Sequence, residues 1–486
     1  MRRGKTFTLQ HRIVRSEGQP LYMQLVQGLI HEIERGRLRA GSVLPSSREL
    51  AAELDLNRKT VVTAYEELTA QGWLETDGRR GTRVSAHLPE THYGRAQPGR
   101  SQTRPLFHFR KAPERPLAIP GGSRIKFDEG SPDGSLFPAE ILARSFRQAA
   151  LMAARQKRLS YRDPRGSELL RDAIAAMLRE ERGLVVGPQN ICVTRGSQAA
   201  IMLAARTLTR QGACALAEEL TYEPAVQALE GCGLPVHPLR MDEGGLVVDD
   251  LEAQCRKHRV AALFLTPHHQ FPTTISLAPE RRLRIADLAR QFGFAIIEDD
   301  YDYEFRFGSL PLLPMAAYAP ESVVYVGSLS KLLLPALRVG YVAASEEVVA
   351  AIAHQVSLTD GMGSTLTEDA VAYLFQDGEV RRHARKAGRI YAERRDAMAR
   401  AMEEHLGEFA ETRLPQGGLA MWLQFHDLEA LARLEQQAPG KGISLAASES
   451  YRLGPHAPHG LRFGFAAHEP AIAVSAVKTL GRLARG

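Results

Sequence analysis

Residues 325–341, with the sequence YVGSLSKLLLPALRVGY, contain one lysine in a largely apolar stretch. Lys331 follows a short apolar run that is typical of a buried strand. Ser328 stands three residues before it, Ser330 adjoins it, and Arg338 lies seven residues beyond it. An isolated lysine is usually a surface charge, but hydroxyl and guanidinium groups together bind phosphate well. The segment therefore predicts an amine next to an anion site.

The acidic run FAIIEDDYDYEF, residues 294–305, supplies a second part of the same chemistry. Alternate side chains of a strand point to the same face, so Asp299 and Tyr301 should lie together. A pyridoxal 5′-phosphate (PLP) site needs a lysine, phosphate donors and an acid facing the pyridine nitrogen. Asp299 is the candidate for that acid, and Tyr301 could donate to the ring oxygen. The acids could instead bind a metal, but no histidine or second carboxylate block is tied to them, so we predict no metal site.

The segment T-R-G-S-Q adds a candidate for phosphate binding by the backbone. Gly196, Ser197 and Gln198 would lie at a helix N-terminus, where free N–H groups bind anions. The pattern Ser328-x-x-Lys331 also fits the serine nucleophile of penicillin-recognising enzymes. That interpretation requires S-D-N and K-T-G as well, and the sequence contains neither. PLP binding is therefore the better interpretation.

Short apolar runs alternate with helical patterns in the part of the chain that contains these motifs. Such alternation predicts an α/β fold with a mostly parallel sheet and helices on both faces. We assign this domain to residues 124–486, with a smaller α+β subdomain from about residue 365 onward. The predicted strands are residues 191–194, 213–217, 261–266, 294–298, 323–326 and 339–343.

Residues 13–85 have the pattern of a winged helix-turn-helix. An apolar stripe that recurs every four residues predicts a first helix. Ser46 and Glu49 form a capping box for a second helix, and Asn57 is a plausible N-cap for a third. Two short helices joined by a tight turn fit a helix-turn-helix, although such a scaffold could also bind protein or nothing. The stripe consists of Leu21, Leu25, Leu29 and Ile33.

The third helix and the hairpin after it carry the candidate DNA contacts. Arg58, Lys59 and Thr60 occupy the first turn of the helix, the end that such motifs insert into the major groove. The turn Asp77-Gly78 then predicts a hairpin with Arg79 near its tip, which is typical of a basic wing.

The distribution of charge agrees with contact to nucleic acid. Residues 1–122 carry 20 Lys/Arg against 12 Asp/Glu, so the net charge of +6 comes from this part of the chain. A solvated basic surface is the alternative. Residues 86–123 are rich in proline and arginine and predict a flexible linker.

Cysteine spacing and hydropathy indicate the compartment. The four cysteines form no C-x-x-C pattern, which favours a reducing cytosol and argues against disulfides or structural zinc. The chain has neither a membrane-length apolar run nor a secretory signal pattern, so we expect a cytoplasmic protein without membrane contact.

The first 85 residues resemble the winged helix of GntR-type regulators. The resemblance rests on the ordered segments L-P-S-S-R-E-L-A, N-R-K-T-V, A-Y-E-E-L and G-W-L. It implies binding of double-stranded DNA. The implied contacts are Arg48, Asn57, Arg58, Lys59, Thr60 and Gly81.

The chain from residue 20 to its end resembles the MocR subfamily of these regulators, in which the winged helix is fused to a fold type I aminotransferase-like domain. The segments Y-R-D-P-R-G-S-E-L-L-R, T-R-G-S-Q, H-H-Q-F-P-T, I-I-E-D-D-Y-D-Y-E-F-R, G-S-L-S-K and L-R-F-G-F occur in the expected order. The resemblance implies PLP as cofactor, with Lys331 as its Schiff-base lysine. It also implies a homodimer and an operator with two half-sites.

The same resemblance assigns roles to further residues. Arg462 would pair with an effector carboxylate, Tyr222 would stack on the ring, and Tyr161 would reach the phosphate of the other subunit. Core packing is the alternative for both tyrosines, and a surface salt bridge for Arg462. The implied cofactor-binding residues are Lys331, Asp299, Tyr301, Gly196, Ser197, Gln198, Tyr222, Gln270, Ser328, Ser330, Arg338 and Tyr161.

Four features depart from the pattern of the subfamily. The segment E-E-L-T-Y, residues 218–222, stands where E-D-P-G-Y is usual. His268 stands where serine is usual, Thr274 where glycine is usual, and Pro224 where the GABA-responsive member has arginine. These departures concern the effector and catalytic competence, and not the cofactor. The sequence thus favours a regulator that senses PLP or an amino compound. A working aminotransferase with an accessory DNA-binding domain, or a repressor that has lost its cofactor, are the alternatives.

Overall fold

The computed structural model describes residues 13, 18–77, 81–89, 108, 125–308 and 312–486. They divide into a small unit within residues 1–112 and a large unit within residues 113–486. Arg79 and most of the predicted linker lie outside the described residues.

The small unit has three helices and a hairpin among its described residues. Its core consists of apolar side chains that are almost fully buried, including Leu25, Leu29, Val61 and Trp73. Both predicted helix caps are confirmed: Ser46 and Glu49 form a capping box, and the Asn57 side chain accepts from the Lys59 N–H at 2.8 Å. The elements are α1 (Leu21–Glu34), α2 (Ser47–Glu53), α3 (Arg58–Ala70), β1 (Leu74–Asp77) and β2 (Gly81–Val84).

The large unit alternates strands and helices along its described residues. Its strands are β3 (Ile125–Phe127), β4 (Ile191–Thr194), β5 (Cys214–Glu218), β6 (Val236–Leu239), β7 (Met241–Asp242), β8 (Gly245–Leu246), β9 (Val260–Leu265), β10 (Ala295–Asp300), β11 (Val323–Ser328), β12 (Gly340–Ala343), β13 (Ala410–Thr412), β14 (Ala420–Phe425), β15 (Ile443–Leu445) and β16 (Gly460–Gly464). Its helices are α4 (Ala139–Arg155), α5 (Glu168–Arg182), α6 (Ser197–Leu208), α7 (Glu223–Gly231), α8 (Val248–Lys257), α9 (Pro279–Phe292), α10 (Leu329–Leu332), α11 (Glu346–Thr359), α12 (Thr365–Gln376), α13 (Glu379–Leu406), α14 (Leu428–Gln437) and α15 (Pro470–Arg485).

A seven-stranded sheet, in the order β4-β12-β11-β10-β9-β5-β6, forms the centre of the large unit. Every neighbouring pair is parallel except the two that involve β12. All six strands predicted from the apolar runs belong to this sheet. The strand β6 was not predicted, because its sequence V-H-P-L is interrupted by Pro238; proline is tolerated there because β6 is an edge strand.

A smaller antiparallel sheet, β13-β14-β16, lies in the C-terminal part. Nearby, β15 pairs in parallel with β3, so residues from the start of the large unit contribute to the C-terminal region. The parallel strands β10 and β11 end at the same edge of the main sheet, which brings Asp299, Ser328 and the adjoining Lys331 together. No helix of the described ranges is long and apolar enough to cross a membrane.

Candidate functional site

Lys331 lies in α10, immediately after β11. Its Nζ donates to the carbonyl oxygen of Glu129 at 3.3 Å and lies 4.7 Å from the centre of the Tyr301 ring. Burial lowers the pKa of the Lys331 amine below its ordinary value of 10.5, and the charge of Arg462 acts in the same direction. The acids Asp302 and Glu129 oppose this shift. The surroundings thus make the neutral, nucleophilic form of this amine easier to reach than in an exposed lysine.

Asp299, near the end of β10, is a buried carboxylate whose Oδ1 has no hydrogen-bond partner within the described part of the chain. Burial raises its pKa to about 7, and the nearby charge of Lys331 opposes the shift. A buried carboxylate is stabilised only by a donor or a positive charge. A protonated pyridine nitrogen is such a partner, so this acid fits PLP.

The N-terminus of α6 and the side chain of Arg338 together offer hydrogen-bond donors for an anion. With Ser328 and Ser330 they are called the anion cradle. Gly196 has a φ of +84° and precedes α6, whose first N–H groups are free to bind an anion. A Cβ built on Gly196 would lie 3.0 Å from Nη2 of Arg338. Ser197 and Gln198 begin α6, and the Gln198 amide donates to the carbonyl of Pro224 at 2.8 Å.

Ser328 and Ser330 flank the same region. Both serines are buried, and Oγ of Ser330 has no hydrogen-bond partner among the described residues. The cradle thus combines backbone amides, hydroxyls and one exposed guanidinium, that of Arg338. This donor set fits the phosphate of PLP.

Arg462, in β16, reaches the Lys331 site from the smaller sheet. The side chain is 1% exposed. It donates to the carbonyl oxygens of Glu129 at 3.2 Å and Pro272 at 2.8 Å, and to the hydroxyl of Tyr301 at 3.1 Å. No carboxylate of the described residues lies within 4.0 Å of this guanidinium.

Two predicted cofactor residues have other contacts, and a third lies at the surface. The Tyr301 hydroxyl donates to the carbonyl of His269 at 2.8 Å. The Gln270 amide donates to Glu218 and to the carbonyls of Leu220 and Phe271, and its oxygen accepts from Thr273. Tyr161 is 93% exposed and makes no contribution to the site of its own chain.

The remaining aromatic candidate, Tyr222, lies at the start of α7. Its ring packs edge-on against Phe271 with centroids 5.1 Å apart. Burial raises the pKa of its hydroxyl, and the charges of Glu129 and Asp299 contribute to the shift. Tyr222 is therefore close to the Lys331 site.

The acids around Asp299 do not converge on a single point. Glu298 accepts from the N–H groups of Met315 and Ala316, at 2.8 and 2.9 Å. Asp302 accepts from Nδ1 of His269 at 2.7 Å. Each of these acids thus has a protein partner of its own.

In the small unit, the predicted DNA contacts lie at the surface. Arg48, Arg58 and Lys59 are exposed, and Thr60 is half-buried. Asn57 caps α3, so its side-chain oxygen is engaged by the Lys59 N–H. Gly81 is exposed at the start of β2 with a φ of +81°.

Comparison with known proteins agrees with both units. Residues 21–84 match the family "Bacterial regulatory proteins, gntR family", and residues 124–480 match "Aminotransferase class I and II". The chain is 30% identical over 467 residues to the probable rhizopine catabolism regulatory protein MocR of Rhizobium meliloti, covering 95% of this chain and 93% of that protein. The chain belongs to the MocR subfamily of GntR-type transcription regulators.

Two further comparisons support the assignment of this MocR-type regulator and of its cofactor. It is 29% identical to the pyridoxine biosynthesis transcriptional regulator PdxR of Corynebacterium glutamicum, over 92% of each chain. Its large unit resembles LysN, the α-aminoadipate aminotransferase of Thermus thermophilus solved with N-(5′-phosphopyridoxyl)-L-leucine. The TM-score is 0.67 at 26% identity, covering 74% of this chain and 92% of LysN. The regulator thus combines a DNA-binding GntR domain with a PLP domain.

The departures of this MocR-type chain from the usual motifs have local structural consequences. His268 is buried and its Nε2 lies 2.7 Å from the carbonyl oxygen of Leu312. Burial lowers the pKa of this imidazole below 6.5. Thr274 has a φ of +63°, a conformation that explains why glycine is usual there.

Glu129, which follows β3 in the segment D-E-G-S-P-D, is a residue of the site that was not predicted. Its carbonyl oxygen accepts from both Lys331 and Arg462. Burial raises the pKa of its carboxyl, and the charges of Lys331 and Arg462 oppose the shift. The only feature of the sequence that pointed to Glu129 was a pair of adjacent acids before a glycine, and this pattern is common in loops.

Proposed function

We propose that this MocR-type regulator is a cytoplasmic homodimer that senses an amino compound, or PLP itself, and changes its affinity for an operator with two half-sites. When bound, PLP supplies an aldehyde that reacts reversibly with primary amines. Lys331 would bind the aldehyde carbon and Asp299 the pyridine nitrogen. The remaining cofactor contacts would come from Gly196, Ser197, Gln198, Tyr222, Gln270, Tyr301, Ser328, Ser330 and Arg338, and from Tyr161 of the other subunit.

The contacts of Arg462 are the main support for an effector that has a carboxylate. A buried guanidinium that donates only to neutral oxygens is poorly compensated, so a bound carboxylate would stabilise it. Arg462 and Lys331 both donate to the Glu129 carbonyl, which puts the charge that would hold a carboxylate beside the amine. An α-amino acid or a similar amino acid matches both groups.

The surface of the large unit supports the dimer. Tyr161 has almost no contact with its own chain, and the apolar side chains of Leu151 and Leu159 are also more than half exposed. Exposed apolar groups of this kind are typical of subunit interfaces. A dimer presents two winged helices, which accounts for two half-sites. An effector would act only through different affinities for two states of this dimer.

Loss of the lysine tests the cofactor assignment. The purified chain with added PLP should show a visible absorption band. We expect Lys331→Ala to lose this band and to keep the circular dichroism of the folded protein. The exposed Lys478, in α15, offers the matched control Lys478→Ala, which should keep the band. A band of full intensity in Lys331→Ala would reject the assignment.

Loss of an exposed arginine tests the DNA surface. Arg58→Ala should weaken operator binding by roughly tenfold or more, since one good base contact contributes about 1–3 kcal/mol. Arg210→Ala, an exposed arginine of the large unit, should bind the operator like the unchanged protein. Equal affinities of the two variants for the operator, measured at one salt concentration, would show that the start of α3 does not contact the operator bases.

Aminotransferase activity is the second candidate function, and the lowered pKa of the Lys331 amine favours it. A neutral lysine can act as a general base in such chemistry. Multiple turnovers with an amino donor and an oxo acid would support this function. A stoichiometric reaction without turnover would leave sensing as the role of the large unit.

A further inference from the structure

Three metal-ligand side chains meet at the amino edge of the main sheet, opposite the edge that carries Lys331. Cys214 is the first residue of β5, His237 lies in β6, and His258 directly follows α8. The Cys214 Sγ and one ring nitrogen of each histidine lie within 4.8 Å of one another. These positions are far apart in the sequence, so no spacing motif revealed them.

The fold holds the three side chains in this arrangement. The Cys214 N–H donates to the carbonyl oxygen of Arg259 at 3.0 Å, which ties the start of β5 to the residue after His258. The pairing of β5 with β6 places His237 opposite Leu216. The two imidazoles are stacked, with centroids 4.6 Å apart and an interplanar angle of 18°. The backbone positions of all three groups are thus set by the sheet.

We propose that Cys214, His237 and His258 bind a borderline-soft divalent cation, with Zn²⁺ as the best match. Thiolate and imidazole are the donors that zinc prefers, at about 2.3 and 2.0–2.1 Å. Tetrahedral ligands at those lengths lie about 3.3–3.6 Å apart, so donors within 4.8 Å of one another must approach by at most about 1.5 Å. Nearly parallel imidazoles cannot both direct an in-plane lone pair at one ion, so one ring must also rotate. His258 is exposed and can make both movements, whereas Cys214 is buried. Three protein ligands leave one position for water or another small molecule.

Burial raises the pKa of the Cys214 thiol, so the free thiol is protonated at neutral pH. Binding of the cation therefore releases this proton, as at other thiolate sites. The site lies at the opposite sheet edge from the cofactor, and it does not depend on the proposed function.

Calorimetric titration of Zn²⁺ into the full-length, untagged protein with bound PLP tests the proposal. We expect one ion per chain, and X-ray absorption at the zinc edge should show one sulfur ligand at about 2.3 Å. His258→Ala should weaken binding at least about tenfold, because even loss of a supporting residue costs this much. The substitution lies at an exposed position, so the protein should remain folded.

Cys214→Ser and Cys232→Ser form the matched pair of cysteine variants. Cys232 is half-buried at the end of α7 and is not among the three ligands. Cys214→Ser should lose the sulfur ligand from the absorption spectrum, and Cys232→Ser should keep it. Absence of sulfur around zinc in the unchanged protein, or equal affinity of His258→Ala, would overturn the proposal.

Discussion

Replacement of Gly196 by alanine should weaken PLP binding while the large unit stays folded. Gly196 has a φ of +84°, and an added Cβ would lie 3.0 Å from Nη2 of Arg338 and 3.2 Å from its Cζ. Those distances are shorter than ordinary van der Waals contacts, so the guanidinium has to move. The same guanidinium is the charged group of the proposed phosphate cradle.

Two separate costs follow from this geometry. Gly196 combines a φ of +84° with a ψ of 170°, a region that glycine alone adopts readily, so alanine there costs about 1–3 kcal/mol of stability. For a unit of this size the entropy of unfolding converts that loss into a decrease of about 1–4 °C in Tm. The guanidinium of Arg338 must also shift by a few tenths of an ångström, which weakens a charge-assisted hydrogen bond whose full strength is about 1.5–3 kcal/mol. PLP affinity should therefore fall, by at most about 100-fold.

Gly212→Ala separates the two costs. Gly212 has a φ of +69°, and an added Cβ would meet nothing within 4 Å. This control should also lower Tm, because its φ is positive, and should leave the Kd for PLP unchanged. Thermal unfolding of each apoprotein gives Tm. Titration of separate, folded samples with PLP, followed at the visible absorption band, gives Kd. Equal PLP affinities of Gly196→Ala and Gly212→Ala would refute the cradle.

The remaining predictions concern the amine and the H-H-Q-F-P-T-T segment. Glu129→Gln removes a negative charge that raises the pKa of Lys331. The pKa of Lys331 should therefore fall, and a larger fraction of the amine should be neutral at a given pH. The pH profile for the rate of covalent PLP attachment should then shift to lower pH; an unchanged or raised midpoint would contradict the placement of Glu129. Thr274→Gly should stabilise the large unit by about 1 kcal/mol, because it relieves a left-handed threonine at a cost of about 1–2 kcal/mol and removes an unpaired buried hydroxyl. Thr273→Gly is the control: its hydroxyl donates to Gln270, so Tm should fall. A lower Tm for Thr274→Gly would show that φ at this position is not strained.

The parts of the site that follow a strand were predictable from the sequence. Asp299 and Ser328 end neighbouring parallel strands, and such ends meet at one sheet edge whatever the details of packing. Lys331 follows from the same rule because it adjoins β11. Local pattern and strand direction are sufficient for these residues.

The contacts that cross the fold could not be predicted in this way. Glu129 and Arg462 are 333 residues apart, and they meet because β16 of the smaller sheet packs beside the segment that follows β3. Gln270 stays a predicted cofactor residue, and in the structure its amide also holds together the loop around Phe271 and Thr273. Nothing in a single sequence separates these two roles, since both require a buried amide at the same place.

The polar groups without partners suggest how cofactor binding and folding are linked. Oδ1 of Asp299 and Oγ of Ser330 are buried without a hydrogen-bond partner among the described residues, and the buried guanidinium of Arg462 donates there only to neutral oxygens. Each such group costs stability in the apoprotein, and a ligand that satisfies it binds only the folded large unit. At 100 times its Kd, such a ligand adds about 2.7 kcal/mol. These groups all belong to the large unit, so PLP should raise the unfolding temperature of that unit and leave a separate transition of the small unit unchanged.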